Sequence, residues 1–126
     1  MYFTARRRHE IIRIFRSQCA LVGHINVRDI ARTIARMPAS RFWVSEERAT
    51  QVISQLARGI TPPAAIRPLK KRMFLEIYRR YRSLRQSRPD EPAIALIQEI
   101  INSPAPEFYL SPRSIAGIIY SHTRRQ

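Results

Sequence analysis

Glycine occurs only three times in this chain of 126 residues. That is too few for a fold strung from tight hairpins, whose turns draw on glycine. There is one cysteine, Cys19, so no internal disulfide can form. A reducing compartment, the cytoplasm, is the expected setting, with Cys19 a small apolar residue on a helix. No stretch approaches the ~18 consecutive apolar residues of a membrane-spanning helix. The N-terminus runs straight into Arg6-Arg7-Arg8 with no apolar stretch behind it, so no signal peptide is expected. Neither a glycine-rich phosphate loop nor a metal-ligand spacing is present. His9, His24 and His122 are not spaced as ligands with Cys19 or a carboxylate. No catalytic residue, cofactor, metal or small-molecule substrate is expected, and the chain reads as a binding protein rather than an enzyme.

Acidic residues are scarce as well. Nine of them face 23 basic residues, for a net charge of +14 and an isoelectric point near 11.5. Only Lys70 and Lys71 are lysines; the remaining basic residues are arginines. Such an excess implies a polyanionic partner. Arginine suits phosphates and guanine edges because its planar fork engages two acceptors at once. A generally basic soluble surface is the plainer alternative. Hydrophobic residues make up 44% of the chain, enough for a core and against wholesale disorder.

The hydrophobic spacing is helical throughout. A first helix is expected from about Thr4 to Cys19 or Val22, with Ile11, Ile12, Phe15, Cys19 and Val22 on one stripe. A second follows Asn26, whose side chain is a good N-cap, presents Val27, Ile30, Ala31 and Ile34, and stops at Pro38. A third is capped by Ser45, carries Glu46 and Glu47 in its first turn and closes at Arg58-Gly59. Ala49, Val52, Ile53 and Leu56 form its apolar stripe. Ile60 to Arg67, with Pro62-Pro63, reads as a stiff linker. A fourth helix opens near Pro68, a favoured first-turn residue, and carries Phe74, Ile77, Tyr78, Tyr81 and Leu84. A fifth is expected from about Glu91 to Asn102, with Pro92 in its first turn. It is apolar nearly all round and so should be the most buried. Ser111 caps a sixth that opens at Pro112.

One stretch occurs twice. Pro38-Ala39-Ser40-Arg41-Phe42-Trp43-Val44-Ser45 returns as Pro104-Ala105-Pro106-Glu107-Phe108-Tyr109-Leu110-Ser111, 66 residues later. The same offset pairs Glu10-Ile11 with Glu76-Ile77, Arg13 with Arg79, Phe15 with Tyr81, Ile34 with Ile100 and Ile53 with Ile119. An ungapped register over this length predicts one structural unit used twice. The expected architecture is all-α: six helices in two tandem three-helix, helix-turn-helix-like units, residues 1–59 and 68–126, joined by the linker 60–67. Phe42, Trp43, Phe108 and Tyr109 have two readings: they plug the space where three helices meet, or they form a surface on which bases stack.

Three short helices with a basic surface resemble the helix-turn-helix class of DNA-binding domains, in which the third helix lies in the major groove. The run from Pro104 to Pro112 also resembles a group of small basic bacterial proteins, and that likeness carries no activity, cofactor or catalytic residue. A helix-turn-helix likeness implies duplex DNA as partner, DNA ahead of RNA, and a place on the bacterial nucleoid. The usual turn between the last two helices is ~3–4 residues, and the connection here is longer.

The candidate contact residues follow from exposure and charge. On the third helix they are Arg48, Gln51 and Arg58. On the sixth they are Arg113, Ser114 and Arg124, with Arg125 at the chain end. Arg6, Arg7 and Arg8 form a basic arm, and Lys70, Lys71 and Arg72 its counterpart, placed to hold phosphates without reading bases. RNA or single-strand binding, and docking of an acidic protein partner, are the alternatives. A membrane-surface role is disfavoured, because no helix joins a strong basic face to a large exposed apolar one.

Overall fold

The computed structural model describes residues 2–62 and 66–124, with the side chains of Tyr2 and Phe3 left aside. Arg125 and part of the expected linker, residues 63–65, lie outside the described residues. The described chain is all-helical: α1 (Tyr2–Leu21), α2 (Val27–Ala35), α3 (Glu46–Ala57), α4 (Pro68–Ser87), α5 (Ala93–Ile101) and α6 (Pro112–Arg124). No strand occurs among the described residues, and no helix there is long and apolar enough to cross a membrane.

Local chemistry sets the helix ends. The Asn26 side chain accepts from the Asp29 amide at 3.2 Å, and the Ser45 hydroxyl from the Arg48 amide at 3.1 Å. Ser111 repeats the motif with the Ser114 amide at 3.1 Å. Each such bond satisfies one of the amides that a helix start leaves without a partner. Pro68 opens α4 at a position where its missing N–H costs nothing. Helix α5 begins later than its sequence suggests: Pro92 is its N-cap, not a first-turn residue, and contributes no side-chain cap. Its burial is also one-sided. Leu96, Ile97, Ile100 and Ile101 are buried, while Ile94 is 48% exposed.

The helices group as two compact sets, and the grouping differs from the division at the linker. One set holds residues 1–38 with 106–126, that is α1, α2 and α6; the other holds 39–105, that is α3, α4 and α5. Within each set, every helix packs on the other two. The linker division places α3 with α1 and α2; its contacts are instead with α4 and α5, and α6 takes the place beside α1 and α2. Consequently neither α2 and α3 nor α5 and α6 form a consecutive helix-turn-helix pair within a set. The starts of α1 and α4, of α2 and α5, and of α3 and α6 each stand 66 positions apart.

In the first set the core is aliphatic: Ile11, Ile12 and Ile14 of α1, Ile30, Ala31 and Ile34 of α2, and Ile115, Ala116 and Ile119 of α6. In the second it is Ala49, Val52 and Ile53 of α3, Met73, Phe74 and Ile77 of α4, and the four α5 residues above. Phe42, Trp43, Phe108 and Tyr109 are all buried, which places them in the core and withdraws them as a stacking surface. Tyr109 adopts a left-handed backbone (φ 57°), a conformation costing a non-glycine residue roughly 1–2 kcal/mol that the burial of its ring offsets. Where the second set begins and ends, Ala39 and Ala105 exchange two backbone hydrogen bonds of 3.0 Å as an antiparallel bridge. The pairing satisfies extended backbone that no helix can.

Arginines stitch the second set together. The Arg80 guanidinium lies 4.9 Å over the Phe42 ring, donates to Glu76 at 2.8 Å and to the Pro104 carbonyl at 3.0 Å. Arg79 adds two bonds to Glu76, at 3.0 and 2.7 Å. The Arg79 hydrogen bonds draw the Glu76 carboxyl below its ordinary 4.5; partial burial opposes the shift, and Arg80 adds to it. A carboxyl whose folded value is depressed contributes stability that is present above the unfolded value and is lost as pH falls through the folded one. The stability difference between the native protein and Glu76→Gln is therefore expected to be full at neutral pH and to close as the solution is acidified below about 4.5. Urea titrations at a series of pH values check this, and a difference independent of pH would refute it.

Candidate nucleic-acid interface

The basic residues of the two helix sets have different fates. In α3–α5, most arginines are committed to their own set. Arg41 donates to the carbonyls of Phe42 and Val44 at 3.0 and 3.2 Å. Arg85 donates to the Glu91 carbonyl at 2.6 Å and the Tyr81 hydroxyl at 2.9 Å. Arg88 pairs with Glu91 at 2.6 Å and Glu99 at 2.7 Å, and both partners hold it protonated. By sequence, this set (39–105) carries twelve basic and six acidic residues, a net of +6. The α1/α2/α6 set carries eleven basic and three acidic, a net of +8 over a shorter length.

The surplus in the α1/α2/α6 set lines two open grooves that share α6. The first, about 630 Å³, lies along α1 at the C-terminal end of α6. Arg8, Ile12 and Arg16 stand four residues apart on α1, one stripe of a helix; His9 and Arg13 form the stripe beside it. His122 of α6 completes the wall, with Arg16 Nη2 at 3.2 Å from His122 Nε2. A guanidinium can only donate, so this contact makes His122 Nε2 the acceptor. The second groove, about 560 Å³, runs between α2 and α6 and is lined by Arg28, Arg32, Arg113, Ala116, Gly117 and Tyr120. Among the described residues no carboxylate lines either groove. Arg32 is paired with Asp29 at 3.1 Å, but both side chains are about two-thirds exposed, where such a pair contributes little.

The residues expected from sequence divide accordingly. Arg8 and Arg113 enter the grooves, one each. Arg6 and Arg124 are exposed at the ends of their helices. Arg7 is half-buried, its Nε has no hydrogen-bond partner among the described residues, and burial followed by the charge of Arg8 makes it easier to deprotonate than a free arginine. The Ser114 amide donates to the Ser111 hydroxyl that caps α6, at 3.1 Å, and the Ser114 hydroxyl oxygen accepts from Ser111 at 3.0 Å. On α3, Arg48 donates to Gln51 Oε1 at 3.0 Å and lies 5.9 Å over the Phe74 ring, so both polar side chains already have a partner. Arg58 folds back on the Ser54 carbonyl at 3.3 Å. Lys70, Lys71 and Arg72 are exposed on the first turn of α4. Since α3 and α4 pack together, these lysines share a set with Arg48 and not with the arm at Arg6–Arg8. Sequence reasoning did not single out Arg13, Arg16, Arg28, Arg32 or His122 as contacts. The spacing of four along α1 and α2 was a usable signal for the arginines; the arrival of His122 beside Arg16 was not.

Among the described residues no three His, Cys, Asp or Glu side chains gather as a metal site. Compared with protein-family models, curated proteins and solved structures, the chain finds no significant match in any of the three.

Proposed function

We propose that this is a nucleic-acid-binding protein, a regulator or accessory factor, that engages duplex DNA through the basic faces of α1, α2 and α6. The observation that carries the reading is the pair of arginine-lined grooves flanking one helix, with no carboxylate among their described lining residues. A net charge of +14 supplies long-range attraction. Guanidinium groups not tied up internally supply the contacts: Arg8, Arg13, Arg28 and Arg113 make no ion pair among the described residues. Burial of Phe42, Trp43, Phe108 and Tyr109 withdraws the four aromatics that the sequence offered as a stacking surface for single strands, which supports the duplex reading. The protein acts by binding and carries out no chemistry.

We also read the two helix sets as copies of one trihelical unit whose third helices have been exchanged. The 66-residue offset of helix starts and the antiparallel pairing of Ala39 with Ala105, themselves 66 apart, support this.

Binding to duplex DNA, single-stranded DNA and duplex RNA across a salt series tests the reading. The expected result is preference for duplex DNA, with log affinity falling linearly in log salt by roughly 0.9 per phosphate engaged. Absence of affinity at physiological salt would refute nucleic-acid binding. Equal affinity for an acidic polypeptide would point to a protein partner instead.

A further inference from the structure

We infer that the α2/α6 groove seats the phosphodiester backbone of duplex DNA directly against the bare main chain of α6 at Gly117. The inference rests on the nucleic-acid reading above and adds where the strand lies.

Gly117 is mid-helix in α6, where glycine is the least favourable residue after proline. Internal packing does not call for it. A Cβ built there meets nothing within 4 Å, and the position is exposed. A glycine that weakens its own helix and makes room for no neighbour of this chain fits close approach by something outside it. The flanking chemistry names the visitor. Arg113 is four residues before Gly117 and Tyr120 three after, so all three share one face of α6. Arg28 and Arg32, one helical turn apart on α2, form the opposite wall. Arg28 and Arg113 have no ion-pair partner among the described residues. Tyr120 is 44% exposed and offers a ring edge and a hydroxyl donor beside the cations. Fork-shaped donors on both sides of a bare backbone suit a strand of phosphates, which can come closest where no side chain intervenes.

The positions 66 residues away show the opposite chemistry. Arg113 corresponds to Glu47, Gly117 to Gln51, Arg32 to Gln98 and Pro112 to Glu46. There Gln98 Nε2 donates to Glu46 Oε1 at 2.6 Å, tying α5 to α3. Two glutamates stand there in place of Pro112 and Arg113, Ile94 and Gln98 stand in place of Arg28 and Arg32, and Arg48 is bonded to Gln51 at 3.0 Å. The asymmetry favours the α2/α6 groove over its counterpart between α3 and α5.

The test uses the full chain and two variants, Gly117→Ala and Gly117→Leu, each measured for thermal midpoint and for binding to a labelled duplex DNA at fixed salt. Both substitutions favour the helix, so the midpoint is expected to hold or rise. Affinity is expected to fall several-fold for the alanine variant and about tenfold or more for the leucine variant, as the side chain holds phosphates off the arginines. Native protein that binds duplex DNA while both variants bind equally well would overturn the groove assignment and leave the nucleic-acid reading intact. Native protein that does not bind would overturn both.

Discussion

Divided between residues 62 and 66, the chain is expected to give two pieces that do not fold as monomers and that regain the native fold when mixed. The cut falls between α3 and α4 and removes no helix. It separates each third helix from its partners. The buried face of α3, Ala49, Val52 and Ile53, packs against α4 and α5; that of α6, Ile115, Ala116 and Ile119, packs against α1 and α2. Each large aliphatic side chain returned to water costs about 1.5–3 kcal/mol. Several such losses in one piece approach the whole stability of a small domain, about 5–15 kcal/mol. If the two sets are copies, a lone piece has one further route, closure onto a second copy of itself as a dimer. Circular dichroism melts and size-exclusion chromatography of each piece, and of their equimolar mixture, read the outcome. A lone piece that is monomeric and melts as cooperatively as the intact protein would show that the third helix needs no partner across the cut.

Phe42→Ala is expected to destabilise the protein by about 3–5 kcal/mol, the range for deleting a fully buried phenylalanine side chain. Phe42 is 0% exposed, and its amide donates to the Ile101 carbonyl at 3.0 Å, which fixes the residue between the connection and α5. Losing the ring leaves a cavity. It also uncovers the Arg80 guanidinium, which would keep its bonds to Glu76 and the Pro104 carbonyl but lose the aromatic face beneath it. Urea denaturation is the measurement: the midpoint should drop with little change in slope, and the melting temperature should fall by roughly 10 °C or more. Tyr120→Ala, at an exposed position, should stay within about 0.5 kcal/mol of the native protein. A Phe42→Ala loss as small as that would mean the ring is not a centre of packing.

Much of the secondary structure was legible because its causes are local. Asn26, Ser45 and Ser111 each bond an amide three residues on, and that spacing is visible in one dimension. Glu76 and Arg80, four apart on α4, pair as the helical spacing implies. An apolar α5 reads as the most buried helix, and four of its nine residues are buried; Ile94 still faces water, because a helix in a three-helix set has only two neighbours to cover it. The candidate contacts were legible as charge but not as availability. Arg48, Gln51 and Arg58 face solvent as their spacing implies, and they are also engaged by their own helix or by Phe74. Arg13, Arg16, Arg28 and Arg32 looked unremarkable and line the grooves.

By itself the amino-acid order determined the six helices to within a few residues at their ends, most of the caps that start them, and that the chain as a whole is strongly cationic. Those properties depend on residues within a turn or two of one another. Tertiary structure alone decided which helices are partners and which arginines are left over. An apolar stripe accepts any matching stripe, so α3 could have closed on α1 and α2 as readily by pattern as it does on α4 and α5. In the fold α3 closes on α4 and α5, and the two connections meet at the Ala39–Ala105 bridge. A guanidinium likewise serves a carboxylate, a carbonyl or a phosphate, and only the neighbours brought by folding decide which it meets.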